Sequence, residues 1–240
     1  MGGIFAHLKN LPGAEKITKF KQARLIDYAL EHGSIDNKTH GIMKDGACAA
    51  YTMLWLSEQL QQKSGQMKVR TKSFERSKGI KSENSKLSVE TASMHAPMQA
   101  LYMEFKSLKI LYDSYELSPG EEKTTSGPFE LVTSYCTYLK TGEAAFIAFD
   151  TAEKAASSTD EVGAHAVGIY KLSDAKIRFF DSNTGEYELV LESGEKGNTS
   201  KFFTAWVVAC FYAFDNVSPS KAWGRTVTKR KFEMAIGADF

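Results

Sequence analysis

Three short stretches carry residue types that could do covalent chemistry together: Cys48 in Asp45-Gly46-Ala47-Cys48-Ala49-Ala50, His165 in Gly163-Ala164-His165-Ala166-Val167, and Asp181 in Phe179-Phe180-Asp181-Ser182-Asn183. A thiol, an imidazole and a carboxylate supply a nucleophile, the base that takes its proton and the group that orients the base. Asp45-Gly46 is a turn signal, and the run from Cys48 to Gln62 is strongly helical, so the thiol stands at a helix start. There the positive end of the peptide dipoles and the unpaired N–H groups favour a thiolate. Small residues on both sides of Cys48 leave room for a substrate carbonyl. An inert buried cysteine is the competing reading, and it suits Cys136 and Cys210, which lie in apolar stretches without an acid–base companion.

His165 sits among Ala164, Ala166, Val167 and Ile169 in a stretch that reads as a strand, so its ring is at least partly buried. Alone it would read as a core histidine, and Asp181 alone as a turn or capping residue. Together they read differently. The strands Ala164 to Lys171 and Lys176 to Asp181 are joined by a short turn. Pairing Lys171 with Ala175 around a three-residue loop sets His165 directly opposite Asp181, with Cβ atoms about 5 Å apart. A one-residue slip would send the two to opposite faces. His7, His32 and His40 lie in polar segments and read as surface residues. His95, next to Pro97, reads as packing or surface.

The elements that must position these groups follow from periodicity. Ala14 to Glu31 reads as one helix with a stripe of Ile17, Phe20, Ile26 and Leu30, and Ser34 to Gly46 as polar turns. Val89 to about Phe105 reads as a helix bent or split at Pro97. Lys106 to Leu117 reads as a strand and Phe129 to Tyr138 as a helix. Ala144 to Asp150, Glu186 to Leu191 and Trp223 to Met234 read as further strands, with Ser200 to Phe211 a helix crossing behind the sheet. Helices first and neighbouring strands later imply an α+β domain, its N-terminal helical part packed on a largely antiparallel sheet. Residues 1–240 are read as one domain, with a polar, mobile segment over about 63–88.

Composition narrows the class. A net charge of +1, with 42% hydrophobic and 25% charged residues, gives no reason to expect a nucleic-acid partner. No apolar run approaches the roughly 20 residues that span a bilayer. The start, Met1-Gly2-Gly3-Ile4-Phe5-Ala6, lacks the core and cleavage site of a signal peptide. Three widely spaced cysteines argue against a disulfide framework and for a reducing site of action. No metal or nucleotide motif is readable. Lys63 to Lys86 carries eight basic residues against Glu75 and Glu83. This segment and Lys229-Arg230-Lys231 read either as solvated charge or as faces for acidic substrates or membranes.

The three stretches, extended through Asn183-Thr184-Gly185-Glu186-Tyr187, resemble the signatures of the YopT-type (AvrPphB-like) papain-like cysteine peptidases of clan CA. The third signature is the most specific: paired aromatics, Asp, a small residue, Asn, then Gly-Glu-aromatic. Their order suits the family, with 117 positions from Cys48 to His165 and 16 from His165 to Asp181. The resemblance spans about Met43 to Tyr187. It implies a papain-like fold, a Cys48-His165-Asp181 catalytic triad and no cofactor or metal. It also implies a monomeric bacterial effector, secreted without a cleaved signal, that acts on host proteins in the host-cell cytosol. One departure stands out. Such proteases commonly place a side-chain amide just upstream of the nucleophile in the oxyanion hole, and Gly41 to Ala47 holds neither Asn nor Gln. Asn37 or a backbone amide is left as the candidate donor. The same triad order also serves deamidases, transglutaminases and fatty-acyl transferases, and an inactive interaction protein could retain the fold.

Overall fold

The computed structural model describes residues 7–18, 20, 22–31, 33, 35–43, 46–62, 95, 98–151, 164–192, 197–213 and 219–230. The basic segment 63–88, His32 and Lys231 lie outside these residues, so the expectations made of them have no structural counterpart. Seven strands form one sheet: β1 (Ala14–Thr18), β2 (Leu117–Thr125), β3 (Ala144–Asp150), β4 (Ala164–Ser173), β5 (Lys176–Asp181), β6 (Gly185–Val190) and β7 (Ser220–Lys229). Their order across the sheet is β1-β6-β5-β4-β3-β7-β2, and every neighbouring pair is antiparallel. The α+β class with an antiparallel sheet is the one expected from the sequence.

Strand alternation divides the core into two layers. Phe146, Ala148, Ala166, Tyr170 and Phe180 face one side and pack with the helix α3 (Cys48–Gln62). Ile147, Phe149, Val167, Ile169 and Phe179 face the other. There they meet the helices Pro128–Tyr138 and Asn198–Ala213. Residues 48–60 of α3 are buried all round, as the near-continuous apolar character of Cys-Ala-Ala-Tyr-Thr-Met-Leu-Trp-Leu requires. Trp55 is fully buried and stacks on Phe180 with ring centroids 5.4 Å apart. Gly168 makes this approach possible, because a Cβ there would lie 2.9 Å from the Trp55 ring. Thr52 Oγ1 adds a hydrogen bond to the Ala166 carbonyl at 3.2 Å, fixing α3 along β4.

The sequence reading of the elements fails in four places, each at the edge of the sheet or in a short helix. Ala14 to Glu31 is not one helix: β1 pairs with β6, and only α1 (Gln22–Glu31) is helical. Lys16 reaches over the Tyr187 ring and donates to its hydroxyl at 3.2 Å, a cross-strand gain that local periodicity does not show. Asn37–Met43 forms the short helix α2, started by the Asp36 carboxylate accepting the Thr39 N–H at 2.7 Å. Lys106 to Leu117 is not a strand. Leu108–Ser114 is helical, with a Lys109–Asp113 ion pair one turn apart and Leu111 and Tyr112 buried.

The strand that follows, β2, carries Pro119, Gly120, Glu121 and Glu122. Proline and charge are tolerated there because it is an edge strand with an irregularity between Pro119 and Glu122. Residues 98–105 are helical. Lys229 and Arg230, read either as solvated charge or as a face for acidic partners, make ion pairs within the fold. Lys229 pairs with Glu116 at 2.6 Å and Arg230 with Asp113 at 2.5 Å.

Candidate active site

Cys48 is the first residue of α3, reached through Gly46 at φ +111°. His165 is the second residue of β4 and Asp181 the last of β5. All three are buried, Asp181 completely. By alternation His165 and Asp181 project from the sheet face opposite α3, at the end of β4 where the helix begins. The three groups therefore meet around the rim of the sheet. The Cys48 Sγ lies 3.9 Å from the carbonyl oxygen of Ala164, the residue preceding His165, which brings the thiol beside the His165 ring, close enough to act on its charge.

The imidazole is tightly defined. Nε2 donates to Asp181 Oδ1 at 3.1 Å, which leaves Nδ1 as the nitrogen for the sulfur. Phe149, directly opposite His165 on β3, packs edge-on against the ring with centroids 5.5 Å apart. Asp181 is held at both oxygens. Oδ1 also accepts the Asn183 N–H at 2.8 Å, and Oδ2 accepts the Trp206 Nε1–H at 2.8 Å.

Charge is set by these contacts. Burial alone would push His165 down, but the Asp181 charge and hydrogen bond, together with Cys48, reverse that and raise it well above its ordinary value. Burial would likewise push Asp181 up. The His165 charge and the hydrogen bonds from His165, Trp206 and the Asn183 amide hold it below the usual carboxylate range. Burial pushes Cys136 up to about 12 and Cys210 well up, so both thiols are protonated and enclosed. His95 is buried too, its Nδ1 2.8 Å from the Tyr115 hydroxyl, and burial lowers it to about 4. His7 is exposed, and His40 lies 3.6 Å from Asp27.

The expected pairing of His165 directly opposite Asp181 is corrected. Val167 is the residue opposite Asp181, and Lys171 pairs with Ile177. The hairpin closes with Ser173 opposite Lys176 rather than at a three-residue loop, with an irregularity between Lys171 and Ser173. The net offset is two residues, so both side chains keep the same face.

Several residues around the site carried no signal in local sequence. Gln22 and Gln99, distant in the chain, reach the start of α3. The Ala47 N–H donates to Gln22 Oε1 at 2.8 Å and the Ala50 N–H to Gln99 Oε1 at 3.1 Å. Among the described residues the amides of Cys48 and Ala49 have no acceptor, as expected of a helix first turn. Asn37 is exposed at the start of α2. The half-buried Tyr102 lies near Cys48, and burial, with the nearby sulfur as a smaller cause, raises its phenol above the ordinary value. Trp206 was legible as part of an apolar helix but not as a donor to Asp181.

A scan against protein-family models finds no match, and no curated protein matches the chain. Among solved structures the fold is similar to that of the Pseudomonas avirulence protein AvrPphB. The TM-score is 0.45 at 12% sequence identity, covering 78% of this chain and 94% of that one.

Proposed function

We propose that the protein is a cysteine endopeptidase working through Cys48, His165 and Asp181. The observation that carries this reading is the buried His165–Asp181 pair, anchored by Trp206 and Asn183, presenting its ring to a thiol at the start of a buried helix. Before the first half-reaction the Cys48 proton already rests on His165 Nδ1, and the sulfur, as its anion, attacks the scissile carbonyl carbon. The oxyanion that forms lies at the first turn of α3, where the Cys48 N–H is a donor. Collapse breaks the C–N bond, the proton on Nδ1 passes to the leaving amine, and a thioester remains. In the second half, water loses a proton to Nδ1, attacks the thioester and releases the acid with the thiol restored. Asp181 stays ionised throughout and holds the ring and its tautomer.

The three sequence motifs support a further reading: a papain-like effector, secreted by a bacterium, that cleaves a host protein in the host cytosol. Among the described residues no helix is long and apolar enough to cross a membrane. The test is a search for new protein N-termini in an extract of eukaryotic cells treated with the protein. Peptidase activity yields N-termini absent with Cys48→Ala. Intact substrates gaining a lipid-sized mass, or the small gain of deamidation, would replace peptidase with one of the other acyl-transfer chemistries.

A further inference from the structure

We propose that Gln22 is a positioning residue that locks the turn leading into Cys48 to the turn that follows Asp181. The inference rests on the peptidase reading for the roles of those two residues. Its geometry is independent of that reading.

Gln22 opens α1, is only 5% exposed, and makes three hydrogen bonds in two directions. Its backbone N–H donates to the Ser182 carbonyl at 2.9 Å. Its side-chain Nε2 donates to Asn183 Oδ1 at 2.8 Å, and its Oε1 accepts the Ala47 N–H at 2.8 Å. Asn183 then returns its own N–H to Asp181 Oδ1 at 2.8 Å, and Asp181 holds His165. A continuous path of hydrogen bonds thus runs from the residue before the thiol, through one buried amide, to the carboxylate behind the base.

The two turns need such a link. Cys48 sits on a helix packed against one sheet face, whereas the Asp181 side chain leaves the other. Ala47 and Asn183 are outside the strand ladder, so sheet hydrogen bonding does not fix their separation. Only glutamine combines an acceptor and a donor at this reach. Glutamate would require the Asn183 amide to turn over and would bring a second carboxylate towards Asp181, and leucine would remove both side-chain hydrogen bonds. The close fit is visible from the other side as well: a Cβ on Gly46 would lie 2.9 Å from Gln22 Nε2.

The experiment uses the full chain and two readouts. Iodoacetamide alkylation of Cys48, followed by mass spectrometry across pH, reads how well the imidazole and sulfur are paired. Hydrogen exchange at the Ala47 amide reads the lock itself. In Gln22→Leu the alkylation profile is expected to move about one unit to higher pH. That makes the rate about tenfold slower near pH 6 and within about twofold of wild type near pH 9. Exchange at Ala47 should accelerate at least about tenfold. Asn183→Ala, at a half-buried site, keeps the Asp181 backbone contact and should give part of the same shift. The double variant should move no further than Gln22→Leu alone, because both remove one interaction.

A folded Gln22→Leu with unchanged profile and unchanged Ala47 exchange overturns the proposal. If that variant does not fold, an unshifted Asn183→Ala does so. A wild-type Cys48 no more reactive than a free thiol would instead defeat the peptidase reading, and Ala47 exchange would still decide the lock.

Discussion

His165 and Asp181 lie diagonally across the β4–β5 ladder, and a backbone irregularity makes their meeting possible. At the hairpin tip Ser173 faces Lys176. Carried down the strands, that register would set Asp181 opposite Gly168 and turn its carboxylate towards α3, away from His165. The irregularity between Lys171 and Ser173 absorbs one residue, so Asp181 falls opposite Val167 and shares a face with the imidazole. The diagonal offset is then closed by the side chains at 3.1 Å.

Asp181→Asn should therefore remove the charge that offsets His165 burial. In the wild type His165 is raised to about 10, so its stabilising contribution is complete below the ordinary histidine value near 6.5 and fades as pH rises towards 10. Asp181 is lowered, so its contribution is present above about pH 4 and is lost as pH falls further. Denaturant melts of wild type and Asp181→Asn should differ most between about pH 5 and 6.5, by about 3 kcal/mol, and converge at either extreme. Nitrogen NMR of the ring should show His165 neutral at pH 7 in the variant. Activity should fall about a thousandfold or more. An unchanged His165 titration would remove Asp181 from its role.

Trp206→Phe separates orientation from packing. The Trp206 ring packs against Phe149 and Phe179, with centroids 5.6 and 5.1 Å away, and phenylalanine keeps much of that contact. What it deletes is the N–H on Asp181 Oδ2. A buried carboxylate oxygen left without its donor costs about 1–3 kcal/mol, read in thermal or denaturant unfolding. Peptidase activity should drop about tenfold, less than in Asp181→Asn, because the His165 and Asn183 contacts to Oδ1 survive.

Elements whose signal is local were legible in the sequence. The helix at Cys48, the strands at His165 and Asp181 and the turn at Asn183-Thr184-Gly185 each combine propensity, periodicity and punctuation within a dozen residues. β1 and β2 were not legible, since each is an edge strand made by pairing with β6 or β7, and β2 contains Pro119 and Gly120. The Cys48, His165 and Asp181 types and order were readable from residue chemistry. Their support was not, because Gln22, Gln99 and Trp206 act through amide and indole groups that look ordinary in any helix. Register failed by two residues for a related reason, as an irregularity near Leu172 leaves no mark in composition.

Gly46→Ala is expected to disturb the site more than the fold. The backbone there has φ +111°, a region L-residues rarely adopt, and the new methyl would press on Gln22. Strain of this kind costs about 1–3 kcal/mol, measurable by denaturant unfolding at pH 7. The strain falls two residues before the thiol, so alkylation of Cys48 near pH 6 should slow several-fold even where the protein is fully folded. Full reactivity in a destabilised variant would show that the Gly46 conformation serves folding only.

The three cysteines provide the sharpest comparison. Cys136 and Cys210 are enclosed in the layer beneath the helices Pro128–Tyr138 and Asn198–Ala213, and burial disfavours their thiolates. Cys48 sits at a helix start beside the His165–Asp181 pair. Brief treatment of the native protein with iodoacetamide at about pH 7 should label Cys48 and spare the other two, while denaturant should make all three react alike. Cys48→Ala should abolish turnover without lowering the free energy of unfolding by more than about 1 kcal/mol. Cys136→Ala and Cys210→Ala should do the reverse, costing stability through lost packing and leaving turnover of the folded fraction intact. Turnover that persists in Cys48→Ala would end the assignment of this sulfur as nucleophile, since it would have to come from a thiol that burial keeps enclosed and protonated.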